Sequence, residues 1–565
     1  MKNHSAPLRL CVETLSAALA GLAAAAPAPT PLKVVAFGWE FSGKSVRDLP
    51  AVVDSLDRTP IDGIGVYLNE PQADGTKLST HNTMHEKWRR ETLEPLVPIA
   101  RELTAHRSMR ESFIGTFRAP RKRIAWDDDA SWARVASNMA IAAWFAREGG
   151  FRGLSMDPED YPRAAQFRRL PGEPPFEALA PLARQRGREV FSGVFAEYPD
   201  ITVLSFWLLS LGPRNFGTGD LAADARETGD LWPAFVDGIL DVLPPTARLI
   251  DGDEFSYWFD SDRGDYYRAA NAIHRRLPAL LSPENRAKYA AQVGVAFGTY
   301  LDMYTDPDGR HWWDGRAPDC PKALHFERKF NQAADAGDGY VWFWGEKNCW
   351  GDWGESGPNP ARGIDPRLWR EALPGLEGAI LAVKDPETYA AKREAALRVE
   401  GRRTTLNPNA GFASVAPAAE TSPFTPWQHD EARKGRLWLD TSFGEGDTTS
   451  LAIAGCEDGA FYHIVEEPLV AGDRLLVRVS MHGEGGYARF CWRRSAEKWD
   501  WHRNSSVVLH FGEPDAYGWR HAEAVVRIPE SVAGAGLILS ARQLPHQFCH
   551  FDNVEILPLA RGGDF

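Results

Sequence analysis

The sequence predicts an α/β fold, a (β/α)8 TIM barrel, followed by an all-β sandwich of the jelly-roll type. Short apolar, β-rich runs alternate with longer helical stretches between residues 33 and 380, and the helical patterns stop after Gly401. The length of 565 residues accommodates one large barrel and an accessory module. This alternation favours a closed barrel over a doubly wound sheet. We therefore divide the chain into a signal peptide (1–30), a barrel (31–400), a linker (401–426) and a sandwich (427–565).

Eight apolar runs are the predicted barrel strands. In chain order they are Val34–Phe37, Gly63–Leu68, Ser112–Phe117, Gly153–Met156, Thr202–Leu209, Arg248–Ile250, Gln292–Phe297 and Tyr340–Trp344. Between them lie stretches such as Ser131–Glu148, in which apolar residues recur near the 3.6-residue helical period. The active site of such a barrel lies at the carboxyl ends of its strands, so the residues directly after each run are the candidates.

The second domain is predicted from a change in character after Gly401. A linker rich in Pro, Ala, Ser and Thr leads into short β-like runs separated by Gly, Asp and Pro, with no helical pattern, which is typical of a β-sandwich. Nine strands are predicted: Gly435–Leu439, Ser450–Ala454, Phe461–Val465, Arg474–Ser480, Ala488–Trp492, Ser506–Phe511, Ala522–Ile528, Gly536–Ala541 and Asn553–Leu557.

Charge and the N-terminal residues exclude several classes of function. A formal net charge of −13 argues against binding to nucleic acid, whose phosphates require clustered cations. Lys2 and Arg9 precede an apolar stretch, residues 15–26. This order predicts a secretory signal peptide and therefore a secreted or periplasmic protein. A mobile leader on a cytosolic protein is the alternative. No other run has the length of a membrane span, and the sequence does not predict an oligomeric state.

Three local patterns carry weaker signals. Gly38–Ser45 has the spelling of a phosphate-binding loop, but bulky residues and Glu40 stand where backbone amides would hold phosphate. His81 and His85 lack a third ligand, so no metal is predicted there. Cys320 and Cys349 either form a disulfide or remain buried thiols.

The aromatic content is high, with 21 Trp, 14 Tyr and 28 Phe. Flat rings at this frequency exceed the ordinary needs of a core, so we expect some of them to be exposed and to hold a flat ligand.

The strongest chemical signal follows the fourth run. Asp157 and Glu159 stand at its end with the two-residue spacing that places side chains on one face of a strand. Two neighbouring carboxylates repel each other when both are ionised, so one of them keeps its proton and can act as an acid. Cleavage of a glycosidic bond needs this pair. Alternatively, Asp157 only accepts backbone hydrogen bonds and Glu159 is solvated.

Later strand ends supply possible partners for this pair. Glu254 after the sixth run and Glu346 after the eighth compete as nucleophile or water-activating base. Substrate contacts are predicted for side chains that follow the other strands or neighbour these carboxylates: Trp39, Glu40, Asn69, Arg118, Tyr161, Asp253, Tyr257, Trp258, Tyr300, Asp302, Trp344 and Trp350.

Two segments resemble known families. Phe151-x-Gly153-x-x-x-Asp157-x-Glu159 is similar to the strand-four signature of secreted bacterial barrel glycoside hydrolases and, in part, to that of the family 18 chitinases, with Ser155 in place of the middle Asp. The resemblance implies a barrel hydrolase with a carboxylate on strand four. Phe551–Ile556 resembles the last strand of jelly-roll carbohydrate-binding modules.

The second resemblance implies a glycan ligand for the sandwich. The aromatic residues available for it are Trp492, Trp499, Trp501, Tyr517 and Trp519. Packing of these rings against the barrel is the alternative. No cofactor is predicted apart from a structural calcium near Asp552.

Together these observations predict a secreted glycoside hydrolase acting on a poly- or oligosaccharide. Glu159 is the predicted general acid/base, and Asp157 positions it or stabilises positive charge. A non-catalytic glycan-binding protein is the first alternative, and it predicts that Asp157, Glu159, Glu254 and Glu346 do not converge. A polysaccharide lyase using Arg118 with Tyr161 or Tyr257 is the second.

Overall fold

A computed structural model describes residues 31–118, 122–159, 165–211, 219–259, 264–305, 322–354, 357, 363–407, 411–412, 424–465, 468–495, 506–529 and 532–559. Within them, eight parallel strands close into a barrel surrounded by helices, and two antiparallel sheets form a sandwich after it. The predicted fold class is confirmed.

All eight predicted runs form barrel strands. The strands are β1 (Lys33–Gly38), β2 (Gly63–Val66), β5 (Phe113–Arg118), β6 (Gly153–Asp157), β7 (Thr202–Ser205), β8 (Arg248–Asp251), β9 (Val293–Tyr300) and β10 (Tyr340–Gly345), and a hairpin of β3 (Asn69–Pro71) and β4 (Lys77–Ser79) follows β2. Their order around the barrel is β1-β10-β9-β8-β7-β6-β5-β2. The hairpin was not predicted. The fifth run is shorter than predicted because Asp251 accepts hydrogen bonds from the amides of Leu208 and Ser210 and turns the chain away after β7.

Twelve α-helices of the described residues lie outside the barrel strands. They are α1 (Val53–Leu56), α2 (Val97–Ala105), α3 (Asp129–Gly149), α4 (Phe176–Glu197), α5 (Leu221–Thr228), α6 (Trp232–Val242), α7 (Asp265–Asn271), α8 (Pro283–Gln292), α9 (Lys322–Ala336), α10 (Trp369–Ala372), α11 (Leu376–Lys384) and α12 (Pro386–Val399). In α3, Asp128 caps the first turn and Gly150 ends the helix in the left-handed conformation. None of the described helices is both long and apolar enough to cross a membrane.

Aromatic rings fill the inside of the barrel. Phe206 stacks on Trp342 with ring centroids 4.2 Å apart, and Phe37 meets both rings edge-on. Gly298 permits this packing, because a Cβ there would lie 2.6 Å from the Trp342 ring. The tryptophan content therefore largely serves the core: six Trp side chains are among the largest fully buried groups, namely Trp88, Trp132, Trp232, Trp342, Trp369 and Trp492.

The sandwich contains ten described strands rather than nine. They are β11 (Thr425–Gln428), β12 (Arg436–Asp440), β13 (Ser450–Ala454), β14 (Gly459–Val465), β15 (Arg474–Gly483), β16 (Gly486–Arg493), β17 (Val507–Leu509), β18 (Trp519–Arg527), β19 (Gly534–Ala541) and β20 (Phe548–Pro558). One sheet has the order β11-β14-β19-β16-β17 and the other β12-β13-β20-β15-β18. Asn407, at the start of the predicted linker, bonds to Val554 and Ile556 of β20, so this part of the chain is attached to the sandwich.

Buried ion pairs join the sandwich to the barrel helices. Arg474 of β15 pairs with Glu327 of α9, and both side chains are almost completely buried. Glu394 of α12 pairs with Arg403 and Arg478, and these hydrogen bonds hold its pKa down to about 2 even though burial opposes them. Apolar contacts complete the interface: Leu476 and Leu557 of the sandwich cluster with Ala382, Tyr389 and Ala390.

Candidate active site

The end of β6 presents the first predicted pair. Asp157 is the last residue of the strand, and it lies in register with Arg118 at the end of β5. The backbone N–H of Glu159 donates to Asp157 Oδ1 at 3.4 Å, so the two residues follow one tight turn of the chain. Both are half-buried. The side chain of Arg118 and the whole of Tyr161 lie outside the described residues.

The end of β10 presents Glu346, which is held from three directions. The Trp344 indole Nε1 donates to Glu346 Oε1 at 3.0 Å, and the Tyr300 hydroxyl of β9 hydrogen-bonds to the same carboxylate. Asp302, directly after β9, accepts the backbone N–H groups of Glu346 (2.7 Å) and Lys347 (3.0 Å). Burial, with the nearby charge of Glu346 adding to it, raises the pKa of Asp302 to about 6. Two strands therefore fix the position of one carboxylate.

The end of β8 presents Asp253 and Glu254. Asp253 adopts φ 29° and ψ 69°, in the left-handed region that a residue other than glycine rarely occupies. Glu254 follows it, begins the short 3-10 helix Glu254–Trp258, and donates its backbone N–H to the Phe206 carbonyl at 3.2 Å. Strained backbone of this kind costs about 1–3 kcal/mol and is concentrated at functional sites.

Tyr257 is a buried ring among these strand ends, in contact with Tyr300 and Trp342. Its hydroxyl has no hydrogen-bond partner among the described residues. The pKa of Tyr257 is raised well above its ordinary value, first by burial and then by the charges of Glu254, Asp157 and Glu346 and by Tyr300. The ends of β6, β8 and β10 thus each carry a carboxylate whose charge acts on this phenol.

The loop after β10 is anchored by Glu40. This buried carboxylate accepts the backbone N–H of Trp350 at 2.7 Å, that of Gly351 at 2.8 Å, and the indole N–H of Trp353 at 2.8 Å. Trp350 is itself buried and stacks on Phe343 with ring centroids 5.9 Å apart. The recorded contacts of Glu40 and Trp350 are thus with the protein, and contact with a substrate stays a prediction for both.

Other predicted substrate contacts lie around the same end of the barrel. Asn69 donates to the Gly43 carbonyl at 3.1 Å and lines a cavity of about 660 Å³. The neighbouring residues of that cavity include Tyr67, His81, His85 and Lys122. Trp39 is half-buried and donates its backbone N–H to Gly345.

Trp258 is more exposed than the other predicted substrate-contact rings of the barrel that the structure describes. It is 37% exposed and packs beside Phe255 and Tyr257. A partly exposed indole of this kind is a candidate surface for a flat ligand.

Two buried charged residues near the site, Lys329 and Asp251, were not predicted to contribute to it. Lys329 of α9 is buried, and its Nζ donates to the Tyr257 carbonyl at 3.2 Å. Asp251 is fully buried, burial raises its pKa, and it shapes the loop after β7. A charged residue on the buried face of an amphipathic helix would have signalled Lys329, since an isolated buried charge requires a partner. Cys320 lies outside the described residues and Cys349 is buried, so a disulfide between them stays one of the two predicted alternatives.

In the sandwich, the predicted ligand-binding rings have different environments. Trp492 is fully buried in the core, and Trp519 is buried under Phe443, on which it stacks with ring centroids 5.6 Å apart. Tyr517 is 83% exposed. Trp499 and Trp501 lie outside the described residues.

The predicted calcium concerns Asp552. This buried carboxylate accepts the backbone N–H groups of Glu445 and Asn553, each at 2.7 Å. Burial, together with the charges of Asp447 and Glu445, raises its pKa to about 6. The carboxylates of Asp552, Asp447 and Glu445 offer only oxygen atoms, which suits Ca²⁺, and a bound Ca²⁺ would offset their negative charges. Calcium at this place stays a prediction.

No protein-family model matches the chain, and no curated protein sequence is significantly similar to it. Among solved structures, it is similar to the CBM22-1–GH10 modules of the N-terminal endo-1,4-β-D-xylanase 10B of Clostridium thermocellum, at 14% identity and a TM-score of 0.20, over 24% of this chain and 26% of that chain.

Two further structures give similar values. One is the tandem CBM22-1–CBM22-2 domain of Xyn10C from Paenibacillus barcinonensis, at 12% identity and a TM-score of 0.21, over 26% of this chain and 49% of that chain. The other is TmCBM61 with β-1,4-galactotriose, at 16% identity and a TM-score of 0.19, over 27% of this chain and 99% of that chain. The chain thus spans about a quarter of the first structure and about half of the second. At these values, the activity has to be argued from the site itself.

Proposed function

We propose that the protein is a glycoside hydrolase that cleaves a poly- or oligosaccharide with carboxylate acid/base chemistry at the carboxyl end of its barrel. The observation that carries the proposal is the placement of Asp157, Glu254 and Glu346 at the carboxyl ends of three strands of one closed barrel, β6, β8 and β10. A non-catalytic glycan-binding protein has no need of carboxylates at three strand ends of the barrel, whereas hydrolysis needs an acid and an anionic partner.

Within this proposal Glu346 is the nucleophile or the base that activates water. Two side-chain donors, Trp344 and Tyr300, orient its carboxylate, and Asp302 fixes its backbone. Such fixed geometry is what a reacting carboxylate requires. Glu159 is the general acid/base, with Asp157 holding the turn that carries it, and Glu254 is the alternative partner. The proposed ligand is a carbohydrate, which the exposed ring of Trp258 suits because pyranoses present flat apolar faces.

A lyase reaction that uses Tyr257 as its base is disfavoured. A lyase base has to lose its proton readily, and the raised pKa of Tyr257 opposes this. Hydrolysis makes no such demand on the phenol. Formation of unsaturated products, detected by new ultraviolet absorbance, would establish elimination instead.

The test is digestion of a panel of neutral and acidic glycans, followed by analysis of the released sugars. On a substrate found in this way, Glu346→Gln and Glu159→Gln should each lower kcat by at least about 100-fold, the scale of general acid–base catalysis. Glu102→Gln is the matched control, because Glu102 is exposed on α2, far along the chain from any strand end. Activity of both site variants within about tenfold of wild type would refute the proposed chemistry.

Binding of a glycan without turnover by the wild-type protein would favour the non-catalytic alternative. The sandwich is tested in the same panel. If it binds glycan through its exposed ring, Tyr517→Ala should weaken retention of the full chain on an insoluble polysaccharide and leave kcat on a short soluble substrate unchanged.

A further inference from the structure

A second cluster of metal-type ligands lies on the sandwich, away from the barrel. Glu445 belongs to the loop between β12 and β13, Asp515 to the turn before β18, and His521 to β18 itself. One ligand atom from each of the three residues lies within 4.8 Å of the other two. His521 Nε2 is 3.4 Å from Glu445 Oε1 and 3.8 Å from Asp515 Oδ2.

These separations fit a small divalent cation. Zinc binds imidazole nitrogen and carboxylate oxygen at about 2.0–2.2 Å, and tetrahedral geometry then places neighbouring ligand atoms about 3.3–3.5 Å apart. The shorter measured separation falls in this range and the longer is a few tenths of an ångström above it. A cation at the centre would neutralise two carboxylates that otherwise face each other.

The other polar atom of each ligand is held by a separate group. Ser480 Oγ lies 3.1 Å from His521 Nδ1, and this contact suits the tautomer that leaves the Nε2 lone pair facing the carboxylates. Asp515 Oδ1 accepts the amides of Tyr517 (2.8 Å) and Trp519 (2.9 Å), which leaves Oδ2 toward the cluster.

Glu445 is held in the same way from the opposite side. Its Oε2 accepts a hydrogen bond from Asn553 Nδ2 at 2.7 Å, which leaves Oε1 toward His521. Second contacts of this kind orient the ligands of metal sites and are part of what distinguishes such sites from chance clusters of charge.

We propose that Glu445 Oε1, Asp515 Oδ2 and His521 Nε2 form a binding site for a divalent cation of the zinc type, with water in the remaining position. An imidazole ligand selects borderline cations such as Zn²⁺ over Ca²⁺, which prefers oxygen alone. The site ties the β12–β13 loop to the turn before β18, so the bound ion stabilises the sandwich. Glu445 also lies beside Asp552, and the nitrogen ligand His521 distinguishes this site from the oxygen-only surroundings of that carboxylate. The proposal is independent of the proposed hydrolase activity.

The test is calorimetric titration of the full chain with Zn²⁺ after treatment with a chelator. Wild-type protein should bind Zn²⁺ at this site and gain in melting temperature. His521→Gln and Asp515→Asn should each weaken that binding at least tenfold, and Ser480→Ala, which removes only the group behind His521, should weaken it about tenfold. His546→Gln is the matched control, because His546 is exposed on another turn of the same domain; it should bind as wild type does.

Titration with Ca²⁺ separates this site from one at Asp552. His521→Gln should leave any Ca²⁺ affinity within about twofold of wild type, because Ca²⁺ prefers oxygen ligands. Absence of Zn²⁺ binding by folded wild-type protein would overturn the proposal, and so would equal Zn²⁺ affinity in wild type, His521→Gln and Asp515→Asn.

Discussion

Glu40 links the stability of the barrel to pH. Although three N–H groups donate to it, burial dominates and raises its pKa from 4.5 to about 7. A carboxyl group whose pKa is higher in the folded state binds its proton more tightly there, so its contribution to stability is complete below about pH 4.5 and is lost as the pH rises through about 7. Since one pKa unit corresponds to about 1.4 kcal/mol, ionising Glu40 lowers the free energy of unfolding by about 3 kcal/mol.

Glu40→Gln removes this titration but also removes a hydrogen-bond acceptor. Glu40 Oε1 accepts from both Gly351 and Trp353, and Oε2 accepts from Trp350. The amide of the variant keeps one oxygen for the first two donors and turns its NH₂ toward the N–H of Trp350. That buried donor is left unpaired at a cost of about 1–3 kcal/mol. We therefore expect the variant to be less stable than wild type at pH 5. Between pH 5 and pH 9 the free energy of unfolding of the wild type should fall by about 2.5 kcal/mol relative to that of the variant, because only the wild type ionises at this position.

Urea unfolding followed by tryptophan fluorescence at unit pH intervals from pH 5 to 9 measures this change. Groups that titrate in both proteins cancel in the difference between them. Asp352→Asn, a change at an exposed carboxylate of the same loop, is the control and should show a constant difference from wild type. The raised pKa of Glu40 would be refuted if the difference in free energy of unfolding between Glu40→Gln and wild type varied by less than about 0.5 kcal/mol over this range.

Three further predictions concern other buried groups. Glu327→Ala leaves Arg474 buried without its main partner and should lower the free energy of unfolding by about 3–5 kcal/mol in urea; a loss below about 1 kcal/mol, comparable to an exposed pair, would contradict this. Asp302→Asn replaces one of the two carboxylate oxygens that accept the backbone N–H groups of Glu346 and Lys347, so the position of Glu346 is less firmly fixed. On an identified substrate, kcat should fall by about 100-fold with little change in KM. An unchanged kcat would show that Glu346 does not need this anchor. Asp253→Gly relieves the left-handed backbone and should raise the free energy of unfolding by about 1 kcal/mol in the same urea assay; a lower value would mean that the Asp253 side chain contributes more than its backbone costs.

The barrel was predictable because its strands are buried on both sides. The run Val34–Phe37 is continuously apolar, Gly153–Met156 is interrupted only by Ser155, and turn residues or helical patterns separate such runs. The β3–β4 hairpin escaped prediction because Asn69–Pro71 and Lys77–Ser79 are polar and short, and neither shows the alternation of a half-buried strand. The hairpin is stabilised by contacts distant in sequence, such as that of Thr80 with the Gly115 carbonyl.

Composition misled on the use of tryptophan. A count of 21 Trp does not distinguish rings that pack from rings that bind, because both uses need the same side chain. The structure stacks Trp342 on Phe206 inside the barrel, whereas Trp258 is 37% exposed. Position after a strand was the better signal: Trp342 lies within β10, and Trp258 follows the end of β8.

The carboxylates at the strand ends divide according to the donors that face them. Asp251 and Asp302 bind pairs of backbone amides, and an acceptor committed to two amides holds a loop in place. Glu40 does the same for the loop after β10. Glu346 instead faces the side chains of Trp344 and Tyr300.

The two side-chain donors of Glu346 come from its own strand, β10 (Trp344), and from the neighbouring strand, β9 (Tyr300). They orient the carboxylate without enclosing it in a turn. In the sequence, both kinds of carboxylate stand at or within a few residues of a strand end, and only the path of the loop decides which amides point at which oxygen. Asp251, Asp302 and Glu40 therefore provide the frame, and we expect the reacting groups among Asp157, Glu159, Glu254 and Glu346.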